Sequence, residues 1–89
     1  MTPMSVSEKH SIEEEWTQLA RKVLVRKTIV RVEYMGDERA RELDWYSRPI
    51  VLILNDGTRV YPSMDDEGND GGALFYENGS GQRVLPVLR

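Results

Sequence analysis

R-P-I-V-L-I-L-N-D-G-T-R-V-Y-P, from Arg48 to Pro62, is the stretch whose reading decides the fold. Ile50 to Leu54 is apolar with no polar alternation, the pattern of a strand covered on both faces. Asn55-Asp56-Gly57-Thr58 follows, and these residues tolerate the positive φ that a tight hairpin demands. Arg59 to Pro62 then returns as the partner strand. Pro62 has no amide to donate, so it ends that strand or places it at an edge. Ile50 to Leu54 is therefore the expected central strand of a sheet.

Upstream, Val23 to Met35 is rich in β-branched residues. Val30, Val32 and Tyr34 alternate with Arg31 and Glu33, which is the period of a half-buried strand. Gly36-Asp37 breaks it. Asp37 is expected to cap a short helix through about Asp44, with Ala40 and Leu43 on its inner side; an ordered loop is the alternative. Further upstream, Ser11-Ile12-Glu13-Glu14 has the form of a capping box with Ser11 as N-cap. Ile12, Trp16, Leu19, Ala20 and Val23 share one helical face, and a helix is expected from about Ile12 to about Lys22. Trp16 is assigned to the core. Residues 1–10 lack periodicity and read as a flexible tail.

Downstream, Tyr61 to Phe75 reads Y-P-S-M-D-D-E-G-N-D-G-G-A-L-F. Four acids (Asp65, Asp66, Glu67, Asp70) and three glycines lie between two apolar flanks. Ala73 to Tyr76 reads as a short strand, Glu77 to Gly81 as a turn, and Arg83 to Leu88 as the returning strand, with Pro86 at an edge or bulge. The expected architecture is α+β. An N-terminal helix and a short second helix pack on a small, twisted, mostly antiparallel five-stranded sheet, with residues 11–89 as a single domain. A partly closed small β-barrel is the alternative, because five short strands can curl.

The chain has 89 residues, so burial is incomplete and stability modest. It contains no cysteine, which excludes disulfides, thiolate zinc sites and thiol nucleophiles and is compatible with a reducing cytoplasm. The longest apolar run is five residues, far short of a membrane span, and the first residues lack the apolar core of a secretory signal. The net charge is −3. Removing the four loop acids from the fifteen leaves eleven against twelve basic residues, so the acidity is local. That balance weighs against a general nucleic-acid role.

Five cations (Arg21, Lys22, Arg26, Lys27, Arg31) fall within eleven residues with no acid between them. They read as a solvated face or as a contact for an anionic partner; no aromatic within the run offers base stacking. The acidic loop reads as a turn-rich connection, as a recognition loop, or as a calcium or magnesium site. Its adjacent acids differ from the alternate spacing of a twelve-residue calcium loop. Catalysis has little to draw on. The only histidine, His10, falls in the expected tail, and no phosphate-cradling glycine motif occurs. No catalytic residue, metal ligand or cofactor is assigned.

The runs Trp45 to Thr58 and Tyr61 to Phe75 resemble a group of small uncharacterised bacterial proteins with a D-D-E-G-N…G-A-L-F core behind a strand-turn-strand lead-in. The resemblance covers roughly residues 34–88. It implies a compact domain of unknown function and transfers no catalytic residue. The expectation is a soluble, cytoplasmic, non-catalytic module that binds a protein partner. Its surface joins Asp65, Asp66, Glu67 and Asp70 to the aromatics Trp45, Tyr46, Tyr61 and Phe75; taken by themselves, Trp45, Tyr46 and Tyr61 read as core and rim filler in a small domain with one Phe. A divalent-cation domain built on the same loop is the alternative.

Overall fold

The computed structural model describes residues 6–89, with side chains from Ser11 onward. Helix α1 spans Val6–Leu24, strand β1 Ile29–Tyr34, helix α2 Asp37–Glu42, β2 Ile50–Leu54, β3 Arg59–Val60, β4 Leu74–Asn78 and β5 Gly81–Leu85. The class is α+β; among the described residues there are two helices, five antiparallel strands and no closed barrel.

β2 is the central strand. It pairs antiparallel with β1 through Tyr34↔Ile50, Glu33↔Val51 and Val32↔Leu52, and with β3 through Leu52↔Val60 and Ile53↔Arg59. The hairpin forms as its residues dictate. Gly57 takes a φ of +89°, its amide donates to the Leu54 carbonyl at 2.9 Å, and the Asp56 carboxylate accepts from the Thr58 amide at 3.0 Å. The same turn anchors the start of β1. The Asn55 side chain accepts from the Thr28 amide, the Asn55 amide donates to the Thr28 carbonyl, and Lys27 pairs with Asp56 at 2.8 Å.

Instead of one five-stranded sheet, the strands form a sheet of three and a separate hairpin of two. The cause lies between β3 and β4. After Val60 the chain hydrogen-bonds to itself: the Met64 amide donates to the Asp70 carbonyl and the Gly72 amide to the Pro62 carbonyl. By the time β4 begins, the chain has been turned away from β3, and β4 pairs with β5 (Phe75↔Val84, Asn78↔Gly81). The C-terminal end is tied back to the rest by an antiparallel bridge between Arg48 and Leu88, and by the Tyr34 hydroxyl donating to the Pro86 carbonyl at 2.9 Å.

The core gathers where β2 meets α2 and the residues after it. Met35, Ala40, Trp45 and Val51 form the buried cluster, with Leu43, Ile53 and Tyr61 packed against it. Ala40 and Leu43 thus lie inward as expected. Asp37 does not cap α2, however. Gly36 occupies the N-cap without a side-chain bond, and Asp37 is the first helical residue, its carboxylate 3.4 Å from the Arg48 guanidinium. The other end of α2 is a Schellman turn. Asp44 adopts a left-handed φ of 59°, the Trp45 amide donates to the Ala40 carbonyl at 2.8 Å, and the Asp44 amide to the Arg41 carbonyl at 3.0 Å. That turn delivers Trp45 into the core beside Ala40.

α1 departs from expectation twice. It is already helical at Val6, so Ser11 lies inside the helix rather than at its N-cap, and residues 6–10 of the expected tail are helical; residues 1–5 of that expectation lie outside the described residues. A capping-box pattern starts a helix only when the residues before it cannot extend one, and V-S-E-K-H contains neither glycine nor proline. Second, Trp16 is not core. It is 70% exposed, and Leu19, Val23 and Leu24 are exposed along the same helix. Helical spacing establishes that a face is apolar, not what covers it.

Candidate functional site

Asp70 organises the region around the acidic loop. One of its carboxylate oxygens accepts three backbone amides, from Tyr46 at 3.0 Å, Ser47 at 2.8 Å and Gly71 at 2.8 Å. The other accepts the Ser47 hydroxyl at 3.3 Å. These bonds favour the ionised form. The Ser47 amide is the main cause, and the Asp70 carboxyl is held below the usual carboxylate range. Asp70 therefore staples the Trp45-Tyr46-Ser47 turn onto the loop.

Asp65 performs the equivalent task inside the loop. Its carboxylate accepts from the Asn69 side-chain amide at 2.7 Å and from the amides of Glu67 and Asn69 at 3.0 and 3.2 Å. The Asn69 side chain is the largest cause of its lowered pKa. The Ser63 hydroxyl donates to the Asp70 carbonyl at 3.1 Å, and Ser63 forms a bridge with Gly71. Gly68, at a φ of +73°, turns its carbonyl to accept the Trp45 Nε1 proton at 2.7 Å. The edge of Tyr61 meets the Trp45 indole at 5.8 Å between ring centres.

The eight residues expected to form one surface therefore divide. Trp45 is 8% exposed and belongs to the core, and Tyr61 is half-buried against it. Asp65 spends its oxygens within the loop, on Glu67 and Asn69, and Asp70 spends its own on Tyr46, Ser47 and Gly71. A buried indole needs a partner for its N–H, and short carboxylates satisfy nearby amides more readily than they remain free. Phe75 is 60% exposed, but it stands on the second sheet opposite Val84. Three remain available: Tyr46, 89% exposed; Asp66, which makes no hydrogen bond or ion pair among the described residues; and Glu67, whose carboxylate accepts from Asn69 at 3.3 Å.

Two contributors were not found from sequence. Met64 is exposed within the loop, and Ser47 is buried as the partner of Asp70. Nothing in W-Y-S-R-P marks Ser47, because its role depends on a carboxylate 23 residues further along the chain. Beside Tyr46 lies an open depression of about 300 Å³, lined by Arg41, Asp44, Trp45 and Tyr46. The cation alternative asks for three or more converging oxygens. Among the described residues no three His, Cys, Asp or Glu side chains form a group that could hold an ion. Of the basic run, Lys27 pairs with Asp56, and Arg31 lies 3.5 Å from Glu33. Among the described residues no helix is long and apolar enough to cross a membrane.

No family model, curated protein or solved structure matches the chain.

Proposed function

We propose that the chain is a non-catalytic protein-binding or accessory module of the cytoplasm, and that Tyr46 with Met64, Asp66 and Glu67 forms its contact face. One observation carries the reading: Tyr46 is 89% exposed, yet its own amide and that of Ser47 are held by Asp70. An aromatic residue on a braced backbone loses little conformational freedom on binding. The depression beside it offers room for a partner side chain. Asp66 and Glu67 are exposed in the loop that Asp70 fastens to the Tyr46 amide, and their negative charge suits a basic or mixed partner and favours encounter. In this reading Trp45, Tyr61, Asp65 and Asp70 are the platform rather than the contact. Residues 34–88 are read as the core shared with the small bacterial proteins that the D-D-E-G-N…G-A-L-F pattern resembles.

The test is selection of binding peptides from a random displayed library, followed by amide NMR titration of the labelled chain with the best peptide. Shifts should centre on Tyr46, Met64, Asp66 and Glu67, the peptides should be enriched in Lys and Arg, and Tyr46→Ala should weaken binding at least about tenfold. Peptides that bind elsewhere, or that ignore Tyr46→Ala, would refute the reading.

A further inference from the structure

Ile12, Trp16, Leu19 and Val23 are spaced by four, three and four residues, which is the a/d repeat of a coiled-coil seam. In α1 this seam meets solvent. Trp16 and Leu19 are 70% and 61% exposed, Val23 is also exposed, and only Ile12 is half-buried. With Trp16 and Val23 at a and Ile12 and Leu19 at d, one flank of the seam carries Glu15 and Lys22 at the g positions. The other carries Glu13 and Ala20 at the e positions. Neither Glu15 nor Lys22 makes an ion pair among the described residues.

We propose that α1 pairs antiparallel with α1 of a second copy of this chain. The flanking charges select both the occupant and the direction. In an antiparallel pair, like flanks face each other, so Glu15 of each copy meets Lys22 of the other, twice by symmetry. A parallel pair would set Glu15 against Ala20 and bring Lys22 toward Lys27, leaving the acids unpaired. Antiparallel register also layers Trp16 against Leu19 and Ile12 against Val23, so the large indole faces a smaller side chain. The helix dipoles oppose as well, placing the acidic first half of one helix beside the basic last turn of the other.

The seam is short. The 19 residues of α1 span roughly 28 Å at 1.5 Å per residue. Four seam side chains per copy, one of them a tryptophan, bury on the order of 400–500 Å² per copy, less than the roughly 800 Å² of a standard interface. The dimer is accordingly weak and depends on concentration.

The first measurement is sedimentation velocity of the full chain from about 5 to 500 µM. A monomer–dimer equilibrium is expected within that range, and a monomer throughout overturns the proposal. Glu15→Lys and Lys22→Glu should each weaken the dimer at least about fivefold. An equimolar mixture of the two should regain it, because each acidic seam then meets a basic one. Direction is read separately in a chain that has no cysteine of its own. Ile12→Cys and Val23→Cys proteins, mixed in a glutathione buffer, should form the mixed disulfide well in excess of either homodisulfide. A dominant Ile12→Cys homodisulfide means a parallel pair and overturns the proposal. So does a Trp16 seam that folds onto the exposed Val30 and Val32 of its own sheet, seen as nuclear Overhauser contacts independent of concentration, or one that binds anionic vesicles as a monomer.

Discussion

Asp70 grips Ser47 at two points, accepting its amide at 2.8 Å on one carboxylate oxygen and its hydroxyl at 3.3 Å on the other. Ser47 is buried at the end of the turn that carries Trp45 into the core, and Asp70 closes the acidic loop. The pair thus joins two segments that also meet through the Trp45 contacts, the Tyr46 amide and the close approach of Gly71 to Pro49. Asp70→Ala leaves three backbone amides without their acceptor and should lower Tm by roughly 5–15 °C. Ser47→Ala removes only the hydroxyl bond and should cost about 0.5–1.5 kcal/mol. Equal Tm values for the two variants, measured by thermal circular dichroism, would contradict this ordering.

Acid should loosen the same clasp. Asp70 is lowered chiefly by the Ser47 amide, Asp65 chiefly by the Asn69 side chain, and Asp56 chiefly by Lys27. A carboxyl whose folded pKa is depressed adds stability above its unfolded value, about 3.9, and loses it as pH falls through the folded value. Tm should be level above about pH 5 and fall steadily below about pH 4. Asp70→Asn should start lower and show a shallower acid limb. A wild-type profile flat down to pH 2, or an unchanged slope in Asp70→Asn, counts against the assignment.

Gly71 and Gly72 are required by close approach rather than by a left-handed backbone. A Cβ on Gly71 would sit 2.6 Å from Pro49 Cδ and 2.8 Å from the Ser47 carbonyl, and one on Gly72 would sit 2.9 Å from the Ser63 carbonyl. Backbone and a buried proline cannot yield as a flexible side chain would. Gly71→Ala and Gly72→Ala should each destabilise by about 1–3 kcal/mol, and valine by more. Gly79→Ala, where nothing lies within 4 Å, is the control and should change stability by less than about 0.5 kcal/mol. Urea unfolding curves that rank the control with the other two would rule out steric contact as the cause.

Asp44 holds a left-handed φ of 59° at the end of α2. Glycine takes that conformation without the Cβ penalty. Asp44→Gly should raise stability by up to about 1 kcal/mol, while Asp44→Val should lower it. A loss of stability in Asp44→Gly would mean that the aspartate side chain contributes more than its backbone costs.

Trp45→Phe keeps most of the packing but removes the Nε1 donor to the Gly68 carbonyl. It should cost about 1–2 kcal/mol and speed amide exchange at Gly68 and Asn69, whose positions depend on that anchor. Unchanged exchange at both would show the loop to be held by Asp65 and Asp70 alone.

The residues themselves determined the elements that rest on local chemistry. The unbroken run Ile50 to Leu54 identified the central strand, Asn55-Asp56-Gly57 its hairpin, and Asp37 to about Asp44 a short helix with Ala40 inward, although not its cap residue. Each follows from φ preference or side-chain period within a few neighbouring positions. Tertiary structure alone decided which acids remain outward, that Trp45 turns into the core while Tyr46 turns out, that Trp16 is exposed, and that the strands divide into two sheets. Those outcomes depend on contacts such as Asp70 with Ser47 and Gly68 with Trp45, 23 residues apart in the chain. A carboxylate has the same sequence signature whether it meets water or three backbone amides, and an apolar helical stripe the same signature whether covered or bare. The difference lies in the partner that folding brings to it.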